Sequence, residues 1–227
     1  MANIIQTASS KEAREAIFRF RYEVYIEELN KLHIAADHHN KIMRDESDDF
    51  STLYFAANDA GIMATVRLQN GMNGSFAKKE NTFFSIPVFE AYIKHHQIGI
   101  TDRLMVRKEY RRSFLTHEIM QALYVSAVHS GMRICFISCE EKLLPMYFRY
   151  GFRMYDAPAD IETGDKRFKL AIFVRDRQHL ESVRSPFLQH LPQSFDDGGY
   201  CANIAQQKLG FTLVDSVMQQ KDQINRA

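Results

Sequence analysis

Five cations crowd one corner of this sequence. Between Thr101 and Tyr124 the chain reads TDRLMVRKEYRRSFLTHEIMQALY, which sets Arg103, Arg107, Lys108, Arg111 and Arg112 around the end of an apolar strand, directly ahead of a helix. Where a strand splays into a turn and then a helix, the first backbone N–H groups of that helix lack intrahelical partners, and the macrodipole favours an anion. One exposed helix-end charge contributes about 0.3–1 kcal/mol, so several must act together to hold a phosphate well. A phosphate or pyrophosphate ligand is one use of this spacing, and a solvated basic corner is the other.

A second group of residues could do acid–base work. Arg21 lies on a helix with apolar neighbours, and a cation near a core wants a carboxylate. Asp45 and Asp48 of RDESDD are the candidates, in a pair that can be purely architectural. Asp102 in the central strand, Asp45, Asp48, and Glu140 or Glu141 beyond a later strand are the carboxylates available as a general base, and spacing does not rank them. His38 with His39, and His95 with His96, are adjacent pairs that rarely converge on one ion, so no metal site is expected. Cys139 has no base placed near it by spacing, and buried thiols are usually inert.

The elements that must position these groups follow from periodicity. NIIQTA (Asn3 to Ala8) reads as a strand, and SSKEAREAIFRFRYEVYIEEL as a helix with Ala13, Ile17, Phe20 and Val24 on one face and Ser9 with Glu12 as a capping box. The polar stretch from Asn30 to Phe50 is a long connection of the kind that often carries function. Two apolar runs around NDAG predict a hairpin from Leu53 to Leu68. From Gln69 to Gly99 an insertion holds Phe83, Phe84, Ile86, Val88, Phe89 and Tyr92, too many large apolar groups for an exposed loop, so it must cover something apolar. ITDRLMV is a strand, SFLTHEIMQALYVSAVHSG a helix stopped at Gly131, RICFISC a buried strand, EKLLPMYFRYGF a short helix ending at Gly151, and Lys169 to Asp176 a late strand. This order predicts one α/β domain with a mixed sheet rather than a doubly wound one, because the hairpin is antiparallel. FDDGGY then leads into a tail with helical patches in CANIAQQKL and LVDSVMQQ.

Composition bounds the rest. The chain has 227 residues, 45% hydrophobic and 25% charged, with a formal net charge of +1. That is an ordinary globular balance and argues against a protein that wraps nucleic acid, as does the lack of interleaved aromatics. Cys135, Cys139 and Cys201 form neither a disulfide framework nor a zinc pattern. The N-terminus lacks the pattern of a signal peptide and no apolar run reaches membrane-spanning length, so cytoplasmic residence is expected and a peripheral membrane contact stays open. Oligomeric state is not legible.

VRKEYRRSFLTHEIMQALY followed by CFISCEEKLLPMYFRYGFRMY resembles the pantetheine-binding strand and helix, then the Tyr-x-x-x-Gly-Phe segment, of the GNAT acyltransferase superfamily. FRFRYEVYIEEL, RDESDD, ATVRL and HLESVRSPF resemble the branch that holds acyl-homoserine-lactone synthases and long-chain N-acyl amino acid synthases. Together these motifs span about residues 15 to 190. The resemblance implies a GNAT-like α/β fold, a mixed central sheet flanked by helices, over residues 1–192, with 193–227 as a helical tail. It matches Arg21 and Tyr25 to the first-helix positions, Asp45 and Asp48 to the acidic pair, Arg67 to the hairpin arginine and Arg103 to the central-strand arginine. Two departures stand out: Arg112, Ser113 and Phe114 occupy a turn that usually carries glycines, and Ile100 stands where the lactone synthases have a glutamate.

What the resemblance implies is aminolysis of a fatty acyl thioester by the α-amine of an amino acid, with no permanently bound cofactor. The donor would be acyl-phosphopantetheine on acyl carrier protein, or acyl-CoA, held by Val106, Arg107, Lys108, Arg111, Arg112, Ser113 and Phe114. Arg103, Asp102, Tyr147 and Glu140 would be the catalytic groups, Tyr147 meeting the leaving thiolate unless it only packs its helix. Phe83, Phe84, Phe89 and Tyr92 would wall an acyl pocket, each buried methylene contributing about 0.8 kcal/mol, unless they are extra core. Two rival readings are a homoserine-lactone-type signal synthase and a module that binds acyl carrier protein or lipid without turnover.

Overall fold

The computed structural model describes residues 5–31, 33–160 and 165–216. The chain divides into two units, Met1–Ser75 with Thr101–Leu123, and Phe76–Ile100 with Tyr124–Ala227.

The first unit begins with β1 (Gln6–Thr7) and α1 (Lys11–Tyr22). Asn3 and Ile4 of the expected first strand lie outside the described residues. The helix is capped by Ser10, whose hydroxyl accepts from the Ala13 N–H at 3.1 Å. Ser9 was the expected cap, but the backbone is still extended at Ser10 (φ −100°, ψ 158°), so the first helical turn starts one residue later. Ile17, Phe18, Phe20 and Tyr22 are buried, and beyond Tyr22 the helix widens into a π-helical stretch, Glu23–Glu28. The polar connection folds into a small hairpin, β2 (Ala36–Asp37) and β3 (Ile42–Met43), and a 3₁₀ turn, Glu46–Phe50.

Next come β4 (Ser51–Asn58) and β5 (Gly61–Asn70), paired antiparallel with Leu53 opposite Arg67. The hairpin expected over Leu53 to Leu68 forms and runs further at both ends. β6 (Ile98–Val106) is shared: Thr101 onward belongs to the first unit and the preceding residues to the second. The first unit's core gathers Ile17 and Phe20 with Met43, Leu53, Ile62 and Met105.

In the second unit β6 pairs in parallel with β7 (Ile134–Cys139), Ile98 opposite Ile134 and Ile100 opposite Phe136. β7 is antiparallel to β10 (Lys166–Phe173), which also pairs with β8 (Arg153–Met154) and β9 (Ala159–Asp160). The sheet is therefore mixed. The helices are α2 (Lys78–Phe83), α3 (Ile86–Glu90), α4 (Leu115–His129, shared by both units), α5 (Leu144–Tyr150), α6 (Arg177–Ser182) and α7 (Tyr200–Asn203). β10 starts and ends three residues before the expected span because Asp176 leaves the strand to cap α6, accepting from the His179 N–H at 3.2 Å.

The aromatic insertion is helical, and Phe84, Ile86 and Phe89 pack with Phe136, Tyr155 and Phe173 in one core. Gly151 ends α5 at φ 100°, and a Cβ there would lie 2.5 Å from Leu180 Cδ2, so this turn requires glycine. Helical structure continues through Ile204–Lys208, while residues 217–227, part of the tail and of its second helical patch, lie outside the described residues. Among the described residues no helix is long and apolar enough to cross a membrane.

Candidate active site

The acidic pair has a local job first. Asp45 is the N-cap of the Glu46–Phe50 turn, its Oδ1 accepting from the Ser47 N–H at 3.1 Å, while Asp48 Oδ2 accepts from the Asp45 N–H at 3.0 Å. This reciprocal cap fixes both side chains, and arginines reach Asp48 Oδ1 and both oxygens of Asp45. Arg21, near the end of α1, donates from Nη1 to Asp48 Oδ1 at 2.8 Å, and both side chains are buried. Arg14, two turns earlier on the same face, donates to the Asp48 carbonyl.

Arg67 on β5 is 1% exposed and binds three carboxylates. Its Nε and Nη2 donate to Asp102 Oδ1 and Oδ2 at 2.7 and 2.6 Å, and its Nη1 pairs with Asp45 and, at 3.2 Å, with Asp48. Arg103, the residue after Asp102, takes φ 56°, a left-handed conformation that is strained for a side-chain-bearing residue. That kink directs its guanidinium at Asp45 Oδ2, 2.6 Å from Nη2, and at His33 Nε2, 2.9 Å from Nη1. Tyr25 touches the same histidine edge-on, with ring centroids 5.6 Å apart. Arg21, Asp45, Asp48, Arg67, Asp102 and Arg103 thus form one network in which three arginines balance three aspartates.

This balance decides what the carboxylates can do. Burial alone would raise the Asp45 and Asp102 pKa values, but the guanidiniums of Arg67 and Arg103 outweigh it and hold both below the usual carboxylate range. Burial lowers the Arg21 pKa while Asp48 pulls it back up. Carboxylates held ionised this firmly are weak bases, so the network orients better than it abstracts protons. Among the described residues no cluster of three or more His, Cys, Asp or Glu could hold a metal ion. Burial pushes the Cys139 thiol up to about 12, far from thiolate character.

The basic turn splits in two. Arg107 donates to Glu23 Oε2 at 3.0 Å and to the Ile62 carbonyl, and Arg111 pairs with Glu28 while its Nε donates to the Val106 carbonyl at 2.9 Å. Both acceptor glutamates sit on the π-helical stretch. Lys108 and Arg112 are exposed and make no ion pair with any described residue, and Phe114 is 81% exposed. Ser113 Oγ accepts from the Leu115 N–H at 3.2 Å, at the start of α4.

Residues 20–121 match the acetyltransferase (GNAT) domain, and that stretch holds the whole network and the basic turn. Among the solved structures that share the chain's fold are three acyl synthases. One is BjaI, described as a CoA-dependent acyl-homoserine lactone synthase (17% identity, TM-score 0.61, 82% of this chain and 91% of that one). Another is FeeM, an N-acyl amino acid synthase from uncultured soil microbes (13%, 0.62, 84% and 99%). The third is the acyl-homoserine-lactone synthase LasI (14%, 0.60, 79% and 93%). Among curated proteins none matches the sequence.

The remaining candidate residues belong to the second unit. Tyr147 on α5 is buried, which pushes its hydroxyl pKa up, and it packs edge-on to Phe152. Glu140 pairs with Lys142 at 2.6 Å. Phe84 and Phe89 are in the core, stacked or edge-on against Phe136, whereas Tyr92 is exposed and Phe83 half-buried. Sequence reasoning missed Arg14, His33 and Gln69, whose Nε2 reaches Asp102 Oδ2 at 3.4 Å. Only Arg14 carried a signal, because its seven-residue spacing from Arg21 puts both on one helix face.

Proposed function

We propose that this protein is a GNAT-type acyltransferase that moves a medium or long fatty acyl group from acyl-phosphopantetheine, on acyl carrier protein or less favourably CoA, to the α-amine of an amino acid. The observation that carries the reading is Arg103: a kinked strand residue, clamped by Asp45 and His33, whose Nε–H has no partner among the described residues. A fixed cation of this kind suits the carboxylate that an amino acid acceptor keeps. Lys108 and Arg112, without ion pairs to described residues, suit the single phosphate of phosphopantetheine and an acidic carrier, and Phe114 lies beside them in sequence.

In the reaction the amine nitrogen attacks the thioester carbonyl, the C–S bond breaks, and the amine proton ends on solvent or on the thiol. An α-amine has a pKa of about 7.7–8.0, so a neutral minority is already present at pH 7 and a strong base is not required. Glu140, which pairs with Lys142 and lies 3.9 Å from Arg167, is the candidate proton acceptor outside the arginine network. Tyr147, with a pKa pushed up by burial, is a hydrogen-bond donor to the departing sulfur rather than a full proton donor, since a thiol near 8.5 is the stronger acid. Phe83 and Tyr92 are the candidate pocket residues that the core does not fully absorb. Ile100 is fully buried in an apolar core, which favours open-chain products over lactones. A cytoplasmic setting goes with this reading.

Incubation of the protein with long-chain acyl carrier protein, acyl-CoA and a mixture of amino acids, followed by mass spectrometry, tests it. An open-chain acyl amino acid is expected. Lactone products would favour the signal-synthase reading. Bound carrier without released thiol would favour the binding module, for which the glycine-free turn is the supporting observation.

A further inference from the structure

His33 meets hydrogen-bond donors at both ring nitrogens. Arg103 Nη1 lies 2.9 Å from Nε2, and the Ala35 N–H points at Nδ1 from 3.0 Å. A guanidinium only donates, and a neutral imidazole has a single lone pair to offer, so the two contacts compete for it. A hydrogen bond from a charged donor is about twice as strong as one between neutral groups. The charged arginine is the stronger donor and takes the lone pair; the proton then sits on Nδ1, where it faces the Ala35 N–H at 3.0 Å, so that loop N–H has to turn away. An imidazolium would face Arg103 with a second cation and lose the bond altogether.

The geometry points to His33 as a positioning residue for Arg103: a neutral imidazole with its lone pair on Nε2 that, opposite Asp45, fixes the plane of the guanidinium offered to the acceptor. Asp45 takes Nη2 and His33 takes Nη1, so both terminal nitrogens are held and the arginine cannot swing about its long axis. Arg103 and Asp45 are charged groups at the contact, and Lys31 lies over the face of Tyr25, the ring that braces His33. The functional half of this inference rests on the proposal that Arg103 receives the acceptor carboxylate.

The test compares His33→Ala, His33→Lys and His33→Gln in the full chain, with steady-state constants for donor and acceptor measured separately. Gln carries an oxygen that can accept from Arg103, Ala carries nothing, and Lys can only repel. The acceptor KM is expected to rise about tenfold or more in the Ala and Lys variants, to recover most of that loss in Gln, and the donor KM to stay put. Nitrogen NMR of selectively labelled histidine is expected to show protonated Nδ1 and bare Nε2 in the wild type. Protonated Nε2, or equal acceptor constants in all three variants of an active enzyme, would overturn the inference. Absence of transfer by the wild type would instead sink the acyltransfer reading and the functional half with it, leaving the nitrogen spectrum to decide the His33–Arg103 bond.

Discussion

Arg67 grips Asp102 with two parallel hydrogen bonds, Nε to Oδ1 at 2.7 Å and Nη2 to Oδ2 at 2.6 Å, although the carboxylate is 31% exposed and the arginine 1%. The exposed partner is the one that can meet substrate. The buried one keeps it ionised and immobile, which makes Asp102 an orienting group and a poor base. Asp102→Asn preserves one acceptor oxygen and should raise the acceptor KM severalfold while kcat falls by less than about a hundredfold. A loss of 10²–10⁴ in kcat with an intact fold would restore the general-base role.

Arg21 and Asp48 make a different kind of pair, with neither side chain open to solvent. Removing one partner strands the other charge, which typically costs about 3–5 kcal/mol. For Arg21→Met the low end of that range is expected, because Asp48 also lies 3.2 Å from Arg67 Nη1 and accepts the Asp45 N–H. Urea unfolding measures it, and an unchanged midpoint would show that the burial carries no such penalty.

Acid should unfold the first unit through its aspartates. Asp45 has a folded pKa depressed by Arg67 and Arg103 against the opposing effect of burial. Its stabilisation is therefore complete above the unfolded value of about 3.9 and is lost as pH falls from there through the folded value. Asp45→Asn should lower stability at neutral pH and flatten the loss below about pH 4. A mutant with the same acid limb as the wild type would place the acid sensitivity elsewhere.

How far the sequence reaches is visible in single residues. An arginine on an apolar helix face wants a carboxylate, so a pairing of Arg21 with RDESDD was legible from residue type, although the capping box that Asp45 and Asp48 form was not. Gly151 and the strand of Ile134–Cys139 were legible for the same reason, since backbone conformation and burial are written in local residue type. His33 was not, because its bond to Arg103 spans 70 positions and depends on a left-handed kink that no local pattern encodes. Nor was the π-helical stretch over EVYIEE, whose wider turn sets where Glu23 and Glu28 point. The aromatic insertion was read correctly as covering something apolar, and its α2 and α3 helices came from tertiary packing, being too short to stand alone.

That π-helical stretch separates the basic turn into structural and available cations. Arg107 and Arg111 are tied to Glu23 and Glu28, whereas Lys108 and Arg112 stand exposed without ion pairs to described residues. Lys108→Ala with Arg112→Ala should raise the KM for acyl carrier protein about three- to thirtyfold at low ionic strength, since each exposed helix-end charge contributes about 0.3–1 kcal/mol. The effect should shrink at 0.5 M salt, where exposed charges are screened. Arg107→Ala with Arg111→Ala should act less on the carrier and more on the thermal midpoint. Equal, salt-independent losses from both double mutants would mean that the whole turn is structural and the carrier docks elsewhere.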